Sequence, residues 1–254
     1  MRSYIAFTKK EILEYVRTFK MMILVIVFLI LGFMSPVTAK YTPEIIDKFM
    51  PQGMNITLPE PTILDSWTQF FKNITQLALI VIVIMFSGLI ANELSRGTLV
   101  NMLTKGMPRR TVILAKFTSA GLIWTICYWL AFAVTLFYSE LFWDDTKVLN
   151  LGIAALCVWF FGLLLIGTLL LGGVLFNNYY GSLLLAGVLV VAMLIISMLH
   201  SAAKYSPYKL VSFNMELLEG TAEVSEVYAP LGIAAGILVI FMVAGIAVFD
   251  KKKI

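Results

Sequence analysis

The chain has 254 residues, 60% hydrophobic and 13% charged, with a mean hydropathy of +0.93 and a net charge of +4. Soluble domains are about 45–50% apolar and about 25% charged, so a soluble core is excluded and the solvent for most of this surface is lipid. The basic residues sit beside apolar runs rather than in a stripe on a soluble face. That excludes a nucleic-acid partner and points to membrane topology.

The N-terminal segment, Tyr4 to Lys20, comes first. Ile5, Ile12, Tyr15, Val16 and Phe19 fall largely on one helical face, with Lys9, Lys10, Glu14, Arg17 and Lys20 mainly elsewhere. This pattern predicts an interfacial helix over 1–20, lying along the inner membrane surface with its basic residues toward lipid phosphates; the alternative is a plain flank of the first span. No cleavable signal peptide is expected, because the first strong apolar run starts at Met21 and no A-x-A-like site follows it.

A helix crosses the hydrocarbon with roughly 20 apolar residues. Six runs qualify: 21–38, ending near Pro36, then 70–90, 112–137, 151–176, 181–199 and 230–249. The expected fold class is therefore an all-α membrane protein, one domain over 1–254. With the N-terminus inside, the inner segments carry 13 basic residues and the outer segments 6. Basic residues favour the cytoplasmic side, so both termini are expected in the cytoplasm of a plasma membrane, with a bacterial source favoured.

Between the spans, the outer loop from about Ala39 to Gln69 holds Pro43, Pro51, Pro59 and Pro61 and is too short and irregular for a domain. The outer segment 200–229 is amphipathic, and its stretch Tyr208 to Val227 is expected to form short helices on the outer leaflet, the alternative being a solvated loop. Cys127 and Cys157 lie inside apolar runs, where thiols behave as small hydrophobes. Gly162, Gly167, Gly172 and Gly173 would let helices approach closely, and Asn73 and Gln76 are candidates to line a pathway, although ordinary packing explains all of these too.

The inner loop between the second and third spans carries the most information. Glu93 and Arg96 are spaced to pair on one helix face. Thr98 suits an N-cap, Leu99, Val100, Met102 and Leu103 make an apolar patch, Gly106 suits a C-terminal cap and Pro108 begins the next element. A short helix over 95–105 is the expectation. Its apolar patch either meets a partner or folds back on the bundle.

The run ELSRGTLVNMLTKGMPRRTVILAK, from Glu93 to Lys116, resembles the membrane subunits of type-2 ATP-binding-cassette exporters, the ABC-2 family. The resemblance extends in architecture to the interfacial helix, the six spans and the outer segment before the last one. It implies that the short helix is a coupling helix docking on an ATPase, through Gly97, Thr98, Leu99, Val100, Met102 and Leu103. It gives Glu93 and Arg96 a supporting polar role, and makes Pro108, Arg109 and Arg110 the turn into the third span. It also implies a permease dimer, identical or mixed, with two separate ATPase subunits. The sequence has no G-x-x-x-x-G-K-[ST] loop, so ATP and magnesium would be held by the partner and no cofactor by this chain.

Rival classes fare less well. An intramembrane enzyme needs nucleophiles, metal ligands or paired acids, yet the one histidine, His200, stands at an outer helix end and no H-E-x-x-H occurs; no catalytic or metal-ligating residue is expected. Ion-driven transporters carry charge or broken helices near mid-membrane, and the deep centres of the six runs lack Asp, Glu, Lys and Arg. The expected cargo is hydrophobic or amphipathic: a small antimicrobial or toxin-like peptide is favoured and a lipophilic drug comes next. A sodium exporter and a non-transporting anchor or sensor subunit stay open as alternatives.

Overall fold

The structure is a computed structural model that describes residues 2–49, 60–95, 97, 99, 103–104, 106–144, 148–199 and 201–252. Six helical stretches among them are long and apolar enough to cross a membrane: Lys20–Ile45, Ile63–Leu94, Arg109–Phe142, Leu151–Phe176, Tyr179–Met198 and Val224–Lys251. The fold is all-helical. Helix α1 (Arg2–Arg17) precedes α2 (Lys20–Phe49). Helix α3 (Ile63–Asn73) runs through a π turn, Ile74–Ala78, into α4 (Leu79–Phe86), and α5 (Ala91–Ser95) follows. The long helices α6 (Arg109–Phe142), α7 (Leu151–Phe176) and α8 (Tyr179–Met198) come next. Short α9 (Lys209–Ser212) and α10 (Asn214–Glu219) lead to the last helix, α11 (Tyr228–Lys251).

The helix of the first span does not stop near Pro36: α2 passes through both Pro36 and Pro43 to Phe49. A proline lacks the N–H that would bond the carbonyl four residues back, and inside a membrane that carbonyl needs another donor. For Pro36 the carbonyl is that of Gly32, and the Thr135 hydroxyl of α6 donates to it at 2.9 Å. The approach is possible because residue 32 has no side chain: a methyl there would lie 2.6 Å from the Ala131 carbonyl oxygen. The donor that sustains the helix lies 103 positions away, out of reach of any local reading of the sequence.

Helices α6 and α7 form the packed centre. The Trp124 ring rests on Gly162, where a methyl would sit 2.4 Å from it, and its indole N–H donates to the Trp159 carbonyl at 2.9 Å. The Tyr128 hydroxyl donates to the Ala155 carbonyl at 2.8 Å. Both cysteines are buried and free in this region. Helix α11 lies along α7, seating Leu238 over Gly167, and Gly172 and Gly173 face Ser182 of α8. The glycines of the fourth span are thus helix-contact positions.

The segment before the last span forms short helices, as its amphipathic pattern suggests, and these pack against the bundle. Leu210, Leu217 and Leu218 are buried in the bundle, where α9 and α10 pack on α7. Asn150 donates to the Leu217 carbonyl at 3.2 Å and Ser206 to the Met193 carbonyl at 2.7 Å. Burying these leucines against α7 removes apolar area from the interface, and the two side-chain bonds fix their depth.

Candidate functional site

At the end of the bundle that carries α1, five charged side chains meet. Phe7, Glu11 and Tyr15 are spaced four apart and form the buried stripe of α1. Glu11 pairs with Lys116, seven residues into α6, at 2.9 Å, and the two are only 3% and 2% exposed. Lys116 also pairs with Glu93 at 2.8 Å. Lys10 reaches Glu93 and Glu11 at 2.9 Å each and Glu14 at 2.8 Å. Burial alone would lower the Lys10 pKa, but the carboxylates of Glu14, Glu93 and Glu11 outweigh it and hold the ammonium above its ordinary value. The Tyr15 hydroxyl is pushed up, first by burial and then by the same carboxylates.

This junction ties the N-terminal helix to both legs of the inner loop, the end of the second span and the start of the third. Oxygens of Glu11, Glu14 and Glu93 come within 4.8 Å of one another, but Lys10 and Lys116 already face them, so the chemistry on offer is ion pairing rather than metal binding. Glu11 escaped the sequence reading. The signal was a carboxylate on the same stripe as two aromatics, which marks a buried acid in need of a cation.

The inner loop is described only in part. Arg96, Thr98, Val100 and Met102, and with them most of the expected helix over 95–105, lie outside the described residues, as does His200. Gly97 and Gly106 adopt left-handed backbone, φ +66° and +86°, which glycine enters without a side-chain penalty. Leu99 is buried within the bundle, and Leu103 is half-buried against the core. Pro108 stands at the start of α6 in extended conformation, and Arg110 is exposed. Arg109 reaches across to the last helix, its Nη1 lying 2.5 Å from the carbonyl oxygens of Phe249 and Lys252 and 3.2 Å from that of Asp250.

A cleft of about 450 Å³ opens between the second, fourth and fifth spans and the segment before the sixth. Leu79, Val83, Phe161, Leu165 and Val190 make its apolar walls, and Thr75, Gln76 and Tyr208 give it polar points. Thr75 and Gln76 belong to the π turn, a feature that interrupts regular helix and recurs at functional sites. Asn73 does not line the cleft. Its amide donates to Ser35 at 3.0 Å and its oxygen accepts from Gln69 at 3.3 Å, so it ties the second span to the first. Of the aromatic run Trp159, Phe160 and Phe161, only Phe161 reaches the cleft, while Trp159 donates to Thr125 at 3.0 Å.

A six-span helical bundle, a charge-locked junction at the loop between its second and third spans and an apolar cleft define an integral membrane transport component. The chain belongs to the family described as ABC-2 family transporter protein, which it matches over residues 5–254. Proteins of this family are not themselves catalytic and normally work with ABC ATPases. Among curated proteins it is similar to a protein of Bacillus subtilis (strain 168) described as the uncharacterized transmembrane protein YxlG, 25% identical over 166 residues. That match covers 63% of this chain and 64% of the relative.

Proposed function

We propose that the chain is the permease subunit of an ATP-driven exporter, working as a dimer with two separate ABC ATPase subunits that dock at the Gly97–Leu103 loop. ATP and magnesium belong to the ATPase. The termini are cytoplasmic and the membrane is the plasma membrane, in keeping with the basic bias of the inner segments. The cargo is hydrophobic or amphipathic, a small peptide first and a lipophilic drug second.

The observation that carries this reading is the cleft. Its roughly 450 Å³ falls in the range of sites that enclose drug-sized ligands, about 300–1,000 Å³. Its walls are apolar, and Thr75, Gln76 and Tyr208 offer hydrogen bonds to an amphipathic molecule. The loop is the place where force would enter. An ATPase shifts the permease only by gripping one state more tightly than another, and a loop whose two legs are tied to α1 by buried ion pairs would move as a unit.

Leu99 is buried, so charge placed there would disturb packing along with docking, and a cross-link is the cleaner test. Thr104 is exposed, and the native cysteines are 0% and 2% exposed, so Thr104→Cys supplies the one reactive thiol. With a short thiol-directed photo-cross-linker, in cells co-expressing the ATPase, it is expected to capture that subunit. Capture from Tyr205→Cys at the other end of the bundle, with none from Thr104→Cys, would overturn the docking site.

A further inference from the structure

Arg109 sits where its own helix has no use for it. A cation is unfavourable at a helix N-terminus and favourable at a C-terminus, yet Arg109 is the first residue of α6. Its guanidinium turns to the end of α11, bonding the carbonyls of Phe249, Asp250 and Lys252 and lying 5.7 Å from the Phe249 ring centre. Lys252 in turn donates to the carbonyl of Val174, in the last turn of α7. Two cations therefore hold together three helix ends: the start of the third span and the ends of the fourth and sixth. Arg109 directly follows Pro108, where the inner loop ends.

The far end of the same helix packs on the segment that borders the cleft. Helix α11 has 24 residues, a rod of about 36 Å at 1.5 Å per residue. It begins directly after the 3-10 turn Val224–Val227, and it packs against the Ala203–Tyr205 turn and against α9. The Lys209–Glu226 pair, at 2.7 Å, adds a polar tie. On that segment, Tyr208 and Val211 line the cleft.

We infer that Arg109 is a positioning residue for transport: it joins the inner loop to α11, and α11 carries the loop's position to the segment that closes the outer side of the cleft. The inference rests on the exporter reading for its purpose, but the mechanical link is a property of this chain alone. If α11 couples its two ends, the effect is reciprocal, and loosening either end loosens the other. A purely local role for Arg109 would be felt only around its own contacts.

Amide hydrogen exchange of the full chain in lipid nanodiscs, without any ATPase, separates the two. Arg109→Gln is expected to speed exchange at least fivefold over 203–212 as well as at 247–252, leaving 2–17 and 63–73 unchanged. Glu226→Gln is expected to do the converse, speeding exchange at 247–252. If Arg109→Gln loosens the whole chain, Arg109→Lys, which keeps the cation as well as a donor, is expected to show a smaller rise at the same two places. Faster exchange confined to 109–113 and 247–252 in whichever Arg109 variant stays folded, or confined to 203–212 and 224–227 in Glu226→Gln, would overturn the inference. Because no ATPase takes part, that failure is distinct from a failure to capture the ATPase at residue 104.

Discussion

Lys116→Met tests the junction most sharply. In the native chain Lys116 and Glu11 are 2% and 3% exposed and 2.9 Å apart. Removing the cation leaves the Glu11 carboxylate buried, with Lys10 as its one cation among the described residues, and Lys10 is already shared with Glu14 and Glu93. Breaking one side of a buried pair costs about 3–5 kcal/mol, whereas replacing both sides with apolar groups of similar volume is often neutral. At about 2–4 °C per kcal/mol for chains of roughly this size, Lys116→Met is expected to lower the thermal midpoint by about 6–20 °C. Glu11→Leu combined with Lys116→Met is expected to recover most of that loss, since Glu93 keeps Lys10 at 2.9 Å. Fluorescence-detected size-exclusion after heating reads both variants. A double variant as unstable as the single one would refute the argument from buried charge.

The first span offers a similar rescue. Thr135→Val removes the donor that replaces the missing Pro36 N–H, at a cost of about 1–3 kcal/mol for an unsatisfied buried carbonyl; adding Pro36→Ala restores a backbone donor and should return the midpoint toward the native value. Gly162→Leu forces Trp124 off α7 and should cost about 1–3 kcal/mol by overpacking, seen as a lowered midpoint in the same assay. Gln76→Leu removes a polar point from the cleft without touching the junction, so the amount of peptide carried should fall several-fold while recovery of the ATPase with the permease stays unchanged; a lost ATPase with intact transport would contradict the placement of the two sites.

The apolar runs made the six spans legible, because lipid imposes length and polarity locally and every residue in a run reports it. Boundaries were less legible where a distant group decides them. Pro36 reads as an end in any window of sequence, while the Thr135 hydroxyl that supports the helix there comes from another span. The segment after the fifth span shows the same limit: its amphipathic pattern was visible, but the pattern does not say whether Leu210 and Leu217 face lipid or α7. At the candidate site, Glu93 stood out through its motif and Gln76 as a polar residue in an apolar run. Glu11 stayed hidden because its partner lies 105 positions away. Asn73 and Gln76 looked alike in sequence, and the π turn between α3 and α4 is what separates one, tied to Ser35, from the other, facing the cleft.

The measurement that bears most directly on the exporter reading is ATP-dependent uptake into inside-out vesicles holding the permease with its co-purifying ATPase. Fluorescent amphipathic peptides, lipophilic dyes and sodium are offered in parallel. The account predicts uptake of peptide or dye that requires ATP and falls several-fold with Gln76→Leu. Movement of sodium alone, with peptide and dye left outside, would contradict it.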